Sequence, residues 1–145
     1  MKIIFDKLSP GEEEQIIVKC HEMHPEMFKL LSKIKSWDSY LIGYANNGAH
    51  RLSPADISYI DVVDRKVFMY DENTVYESKQ KLYQLEEILT AHDFVRISKS
   101  VLVNLRKIKS VIPSYSSRME IVLRSGKKLI CSRQYISELK SHLGI

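Results

Sequence analysis

Hydrophobic and polar positions change their spacing several times along this chain, and from residue 40 onward they mostly predict short strands. Apolar or β-branched runs alternate there with clusters of Asn, Asp, Gly, Ser and Lys, a pattern typical of strands joined by turns. The predicted strands cover residues 40–45, 57–63, 67–70, 74–77, 94–97, 110–113, 119–123 and 128–131. Turns are expected at residues 46–48, 64–66, 71–73 and 124–127.

Two stretches of this region keep helical spacing instead. Residues 78–92 predict a helix, because their apolar residues recur every three to four positions and the glutamates between them face outward. The stripe consists of Leu82, Leu85, Ile88 and Leu89. A final helix is expected to begin after Ser132 as its N-terminal cap, to run to Leu143 and to stop at Gly144.

The first 40 residues have a different pattern. Residues 1–8 resemble a short strand, and Ser9, Pro10 and Gly11 predict a turn. Residues 12–23 are rich in β-branched side chains, which favours a second strand, although a helix stays open. A helix is expected from Pro25 to about Trp37. The sequence therefore predicts a small β-β-α extension over residues 1–40 and one domain over residues 41–145, mainly β with short helices (an α+β fold).

Composition narrows the class of protein. The chain has 145 residues, 44% hydrophobic and 28% charged, which is typical of a globular domain and leaves no apolar run near the ~18 residues of a membrane span. Cys20 and Cys131 lie far apart and no export signal precedes them, so we expect reduced thiols in the cytoplasm. No ligand spacing for zinc and no nucleophile–base set is present, so neither an enzyme nor a cofactor is expected.

Charge is distributed unevenly. Residues 94–145 hold eleven Lys and Arg against two acids, a net charge of +9, whereas residues 1–93 hold eleven against sixteen, a net charge of −5. Such a difference attracts a polyanion to one part of the molecule. A solvated basic surface without a partner is the alternative that charge alone leaves open.

Three stretches offer side chains that suit a nucleic acid. Residues 94–109 alternate apolar anchors with Arg96, Ser98, Lys99, Ser100, Asn104 and Lys107. Ser132, Arg133 and Gln134 form the start of the last helix, where free N–H groups favour an anion. Arg65 and Lys66 project from a predicted turn, as do the bases of residues 124–128. Each has a structural alternative: an edge strand protected by charge, an ordinary helix cap and a solvated hairpin tip.

The sequence also resembles a known family, the LytTR DNA-binding domains of bacterial transcription regulators. The resemblance covers about residues 41–145. It depends on the order and spacing of Ile-Ser-Tyr-Ile-Asp at 57–61, Lys-Leu-Tyr-Gln-Leu-Glu at 81–86, Phe-Val-Arg-Ile-Ser-Lys-Ser at 94–100, Val-Asn at 103–104 and Ser-Arg-Gln-Tyr at 132–135.

This resemblance implies an elongated antiparallel β-domain whose loops, rather than a recognition helix, enter the major groove of double-stranded DNA. It implies base contacts by Lys66, Lys99, Arg133 and Gln134. It implies phosphate contacts or support by Arg65, Arg96, Ser98, Ser100, Asn104, Lys107 and Ser132. Family members bind paired direct repeats as two copies, so a homodimer is expected at least on DNA.

Some expectations depart from the best-known members. Only about 40 residues precede the domain, which leaves no room for a phosphoreceiver, so control by aspartyl phosphate is not expected. Short members of the family are often paired with a small membrane protein, and the extension is expected to serve dimerisation or contact with a partner. Two other functions stay open: a module that binds an acidic protein with its basic face, and RNA binding, which the lack of paired aromatics disfavours.

Overall fold

The computed structural model describes residues 1–35 and 39–145. These residues contain three α-helices, α1 (Pro25–Lys35), α2 (Leu82–Leu89) and α3 (Arg133–Leu143). The strands are β1 (Leu41–Ala45), β2 (Gly48–Leu52), β3 (Tyr59–Val63), β4 (Lys66–Tyr70), β5 (Val75–Ser78), β6 (Phe94–Ser98), β7 (Val101–Asn104), β8 (Ile108–Pro113), β9 (Met119–Leu123) and β10 (Lys128–Cys131). Among the described residues, no helix has both the length and the apolar character needed to cross a bilayer.

The strands form two antiparallel sheets. The larger has seven strands in the order β2-β1-β5-β4-β3-β7-β6, and the smaller has three in the order β10-β9-β8. Most neighbours are consecutive in the chain and are joined by short turns, which is the usual way to build antiparallel sheets. The mainly β architecture with short helices confirms the predicted fold class.

Helix α2 covers one face of the large sheet. Its side chains Leu82, Leu85 and Leu89 are buried against Ile60 and Leu102 of the central strands. The i, i+3, i+7 spacing of the three leucines places them on one side of the helix, so a single short helix can close this core.

The small sheet and helix α3 cover the opposite face of β3, β7 and β6. Because neighbouring residues of a strand point to opposite faces, Leu102 belongs to the first core and Val103 to the second. Ile121 of β9 and Leu139 of α3 complete the second core and are fully buried. The central strands are therefore covered on both faces.

Several details of the structure differ from the sequence predictions. Helix α2 begins at Leu82 and not at residue 78, because Ser78 still pairs with Val67 of β4. Ile88 was expected in the buried stripe but is 36% exposed. Strands β2 and β7 were not predicted. Strand β7 has a short apolar run, which basic and polar residues flank on both sides in the sequence.

The N-terminal extension has its helix but not its strands. Residues 1–24 hold no strand in the structure, so the predicted β-β-α unit is wrong in its first two elements. Helix α1 begins at Pro25 as predicted, and its predicted end at Trp37 lies outside the described residues. It contacts the domain through buried Met27 and through Lys33, whose Nζ lies 3.7 Å from an Asp93 carboxylate oxygen.

Candidate nucleic-acid interface

The turn between β3 and β4 presents two basic side chains. Asp64 and Arg65 form the turn between the paired residues Val63 and Lys66. Both have positive φ, 51° and 66°, as a two-residue hairpin of the type that suits the strand twist requires. The side chains of Arg65 and Lys66 are exposed at this turn.

The turn between β6 and β7 presents Lys99. Its backbone is held on two sides: the Ser98 hydroxyl accepts a hydrogen bond from the Ser100 N–H at 3.2 Å, and an Arg96 guanidinium N–H donates to the Lys99 carbonyl at 2.7 Å. The Lys99 side chain itself is exposed. The turn therefore fixes the base of the side chain and leaves its ammonium group in solvent.

Helix α3 begins beside the same turn because of a bulge in β6. The register between β6 and β7 shifts between Arg96 and Ser98, which leaves the carbonyl of Ile97 outside the regular ladder. That carbonyl accepts a hydrogen bond from the Ser132 N–H at 2.8 Å. Arg133 and Gln134, in the first turn of the helix, are exposed.

Ser132 occupies the cap position, with extended backbone angles, but its hydroxyl makes no capping hydrogen bond. The prediction of its place is confirmed, whereas the predicted capping contact is absent. The hydroxyl is half-buried at the start of the helix, close to where the helix dipole favours a negative charge.

Hydrogen bonds hold the three elements side by side. The Val62 N–H donates to the Ser100 carbonyl at 3.0 Å, which joins the first two turns, and the Ser132–Ile97 bond joins the second turn to α3. We call the resulting row the basic edge; it consists of Arg65, Lys66, Lys99, Arg133 and Gln134. In the part of the chain that the structure describes, none of its four cations lies within 4.0 Å of a carboxylate.

Residues 47–144 match the model of the LytTr DNA-binding domain family. The chain belongs to this family. The match spans well over half of the chain and contains the whole basic edge. The family is one of DNA-binding domains and not of enzymes, and the match confirms the resemblance seen in the sequence.

Individual relatives agree with the LytTR assignment. The chain is 29% identical over 142 residues to the sensory transduction protein LytT of Enterococcus faecalis, covering 95% of this chain and 59% of that protein. It is 26% identical over 135 residues to an uncharacterized HTH-type transcriptional regulator of Staphylococcus aureus, covering 92% of this chain and 91% of the relative. The chain thus spans less than two thirds of the first relative and nearly all of the second.

A solved structure shows the same fold. The LytTr DNA-binding domain of a putative methyl-accepting/DNA response regulator from Bacillus cereus superimposes with a TM-score of 0.70 at 23% sequence identity. The superposition covers 74% of this chain and 99% of that domain. The antiparallel architecture is therefore that of a LytTR domain.

Arg96 was predicted to contact phosphate or to support the β6–β7 turn, and its contacts in this LytTR domain are those of a supporting residue. Its Nε lies 2.6 Å from a Glu86 carboxylate oxygen on α2, and only 19% of its side chain is exposed. With another N–H group bound to the Lys99 carbonyl, the guanidinium links α2 to the β6–β7 turn. Arg96 therefore positions the turn and does not stand free on the basic edge.

Asn104 was predicted to contact phosphate or to support such contacts, and in the structure its side chain is not accessible for a contact. The residue is 1% exposed; its Nδ2 donates to the Ile57 carbonyl at 2.9 Å and its Oδ1 accepts from the Arg106 N–H at 3.0 Å. Because the side chain is buried and both its oxygen and its nitrogen are hydrogen-bonded within the domain, a phosphate cannot reach it. Asn104 is the last residue of β7, and its side chain holds the backbone of the turn that follows the strand.

Lys107 lies at the other end of β7 from Lys99. Its carbonyl accepts a hydrogen bond from the Arg124 N–H at 2.9 Å, which places it beside the β9–β10 hairpin. Nearby, Arg106 Nε lies 2.9 Å from an Asp93 carboxylate oxygen. Lys107 therefore lies away from the basic edge, although it is only eight residues from Lys99 in the sequence. The Ser98 and Ser100 hydroxyls, in contrast, lie in the β6–β7 turn itself.

Asp61 supports the β3–β4 hairpin, a role that was not predicted from the sequence. It accepts a hydrogen bond from the Tyr70 hydroxyl at 3.0 Å, and the Tyr70 ring stacks on Tyr59 with 4.2 Å between ring centres. Burial raises the pKa of Asp61, while the Tyr70 hydrogen bond and Lys127 lower it. Burial, together with the Asp61 carboxylate, raises the pKa of Tyr70 to about 12. Only the strand register, which places Tyr59 opposite Tyr70, could have indicated this cluster.

Proposed function

We propose that this protein regulates transcription in the cytoplasm by sequence-specific binding of double-stranded DNA through its basic edge. The observation that carries the proposal is that two turns and the start of α3, far apart in sequence, are hydrogen-bonded into one row. Among the described residues, no carboxylate lies within 4.0 Å of its four cations. Turns of this kind can enter a groove with their backbones already fixed, so less conformational entropy is lost on binding.

The side chains of the basic edge and its neighbours differ in the part of DNA that they can bind, the bases or the phosphates. Arg133 can pair bidentately with guanine, Gln134 with adenine, and Lys99 or Lys66 can donate to guanine acceptors. Arg65 and the Ser100 and Ser132 hydroxyls suit phosphate oxygens. Arg96 and Ser98 position the β6–β7 turn. We place Lys107 on a flanking phosphate, away from the base-reading residues.

Two copies are proposed to bind paired direct-repeat half-sites, as the family resemblance implies. The protein named transcriptional regulator in Staphylococcus aureus, which this chain covers nearly in full, supports a regulatory role for a chain of this length. A small membrane-protein regulator stays a prediction of the resemblance.

Selection of bound duplexes from a random pool, followed by sequencing, tests the proposal. We expect a repeated motif whose copies are separated by about one helical turn, ~10 base pairs. Recovery of no motif above the starting pool, with random duplex and heparin competing as well as any selected sequence, would indicate charge attraction without sequence-specific binding.

Point variants test the assigned residues. Lys99→Ala and Arg133→Ala should each weaken binding to the selected duplex by about 1–3 kcal/mol and relax the preference at one base position. Lys140→Ala is the matched control, because Lys140 is an exposed cation in the C-terminal half of α3. If all three variants lost the same affinity without any change of base preference, the assignment of Lys99 and Arg133 to bases would be wrong.

A further inference from the structure

The register of the large sheet defines a row of paired residues that crosses five of its strands. Neighbouring strands pair Tyr44 with Glu77, Glu77 with Phe68, Phe68 with Asp61 and Asp61 with Val101. Paired residues of antiparallel strands lie directly opposite each other. The row therefore marks one level of the sheet, from which the distance to either end can be counted in residues.

Two members of the basic edge lie just beyond this row. Lys66 precedes Phe68 by two residues on β4, and Lys99 precedes Val101 by two residues in the β6–β7 turn. Strands β4 and β7 both begin at this end of the sheet, because each is antiparallel to β3, which ends there. Both lysines therefore lie on the same side of the row, at the same level.

The same register brings two further cations to this end. Lys79 follows Glu77 by two residues, immediately after β5 ends. Arg51 of β2 pairs with Ile42, which precedes Tyr44 by two residues on β1. Both cations have exposed side chains. We call them the flanking cations, because they continue the line of the basic edge from β4 to the outermost strand, β2.

An aromatic ring, rather than a carboxylate, holds each flanking cation. Lys79 Nζ lies 4.3 Å from the centre of the Tyr44 ring, and the Arg51 guanidinium carbon lies 3.8 Å from the centre of the Tyr40 ring. A tyrosine ring attracts a cation through its quadrupole but carries no net charge, so each pair stays positive. Over residues 1–35 and 39–145, no carboxylate lies within 4.0 Å of either cation.

The rings that hold these cations lie on the same face of the sheet as α3. Directly paired residues point to one face, as do residues two apart on a strand, so Tyr40, Ile42 and Tyr44 share the face of Val101. Val101 packs against the second core, which α3 helps to form. Tyr40 and Ile42 are 49% and 38% exposed. A duplex bound to α3 and the basic edge therefore has this open, positive part of the same face next to it.

We propose that Lys79 and Arg51 bind phosphates of the duplex beyond the base pairs that the basic edge contacts, an inference that rests on the proposed function. Continuity with the basic edge and the unneutralised charge favour the same polyanion over a separate partner. Arg51 lies three strands from Lys66 and Lys79 lies one strand from it. At about 4.8 Å between strands, these separations are about 14 Å and about 5 Å. They correspond to about four and about one to two base pairs along the duplex, at about 3.4 Å for each pair.

Single-site variants and neutral phosphates test these contacts in the full chain. In Lys79→Gln and Arg51→Gln, we expect binding to the selected duplex to weaken by about two- to tenfold, with a salt slope lower by about one and an unchanged base preference. Lys140→Gln, which removes one charge from the C-terminal half of α3, should change affinity by less than about twofold. Duplexes with one flanking phosphate at a time replaced by methylphosphonate locate each contact. For each variant, one replacement that weakens the parent chain should have no further effect, because the contact is already lost.

Each result supports or overturns the inference. Losses no larger than that of Lys140→Gln would show that the flanking cations only protect the edge of the sheet. Losses that no single methylphosphonate cancels, or a relaxed base preference, would equally overturn the phosphate contacts. Thermal unfolding should show a folded domain in both variants, because neither residue belongs to a core. A parent chain that binds the selected duplex and depends on Lys99 would leave the proposed function intact in all these cases, whereas a parent chain without sequence-specific binding would refute both.

Discussion

The strands at the basic edge and the N-terminal extension both contain short apolar runs, yet only the first are folded into a sheet. In β6, Val95 and Ile97 are buried under the small sheet and α3, while Phe94 is buried on the α2 side. In the extension, Ile3, Ile4 and Phe5 form an apolar run with no polar residue between them, and all three are exposed. The comparison shows that a short apolar run forms a strand only where a second layer covers one of its faces.

The two regions also use charge differently. The cations of the basic edge have no carboxylate within 4.0 Å among the described residues, whereas residues 1–20 carry three Lys against four acids. Cations gathered on one edge attract a polyanion, whereas a nearly neutral segment does not. A basic residue is therefore a candidate for DNA contact only if no carboxylate partner lies near it; among the described residues this holds for Arg133 and not for Arg96.

The largest expected contrast between the two regions is in thiol reactivity. Cys20 in the extension is exposed and Cys131 at the end of β10 is fully buried. We expect a maleimide to label Cys20 about a thousandfold faster or more, because Cys131 reacts only after the domain opens. Mass spectrometry of peptides over time measures both rates, and similar rates would show that the second core is not closed.

Labelling also has a pH dependence. Burial raises the pKa of the Cys131 thiol from 9.0 to about 11. The folded state therefore favours the neutral thiol, and this contribution to stability is intact below about pH 9 and declines as the pH rises towards about 11. The free energy of unfolding, measured between about pH 9 and about pH 11, should show this decline. The decline should be smaller in Cys131→Ala.

A smaller contrast is expected in stability. Leu85→Ala, in the core under α2, should lower the free energy of unfolding by about 2–5 kcal/mol, because Leu85 is fully buried. Ile16→Ala, in the extension, should change it by less than about 0.5 kcal/mol in dilute solution. Urea denaturation of both variants measures the difference. A large loss for Ile16→Ala would mean that the extension packs on its own domain.

The smallest effect concerns the positioning of the basic edge. Arg96→Ala should lower the free energy of unfolding by about 1 kcal/mol, since one half-exposed ion pair and one hydrogen bond are lost. It should also weaken DNA binding without relaxing any base preference, because the Arg96 guanidinium is bound to Glu86 and to the Lys99 carbonyl. Glu86→Gln, which keeps a hydrogen-bond acceptor, is the conservative control. A changed base preference in Arg96→Ala would place its guanidinium on the DNA.

Much of the fold was predictable from local pattern. The bounds of β9 and β10 agree with the prediction residue for residue, because each is a short apolar run beside a glycine-containing turn. Strand β7 was missed since its four residues are surrounded by Lys, Arg and Ser. The extension was assigned two strands because of its short apolar and β-branched runs, but residues 1–24 hold no strand in the structure.

The candidate site was predictable in its residue types but not in its geometry. In the sequence, Lys99 lies more than 30 residues from Arg133 and Gln134. Nothing in that spacing indicates that a bulge at Ile97 brings the start of α3 beside the β6–β7 turn. Asn104 and Lys107 are as polar in sequence as Lys99 is, yet one is buried and the other lies at the far end of β7.

By itself, the sequence determined the strand and helix pattern, the family and the concentration of positive charge in the last third of the chain, because these depend on the spacing and type of neighbouring residues. Only the tertiary structure decided which cations remain unpaired and share an edge. Ion pairs and hydrogen bonds such as Arg96–Glu86 and Ser132–Ile97 join residues from different elements. Their formation depends on how the sheets and helices pack, which local sequence does not specify.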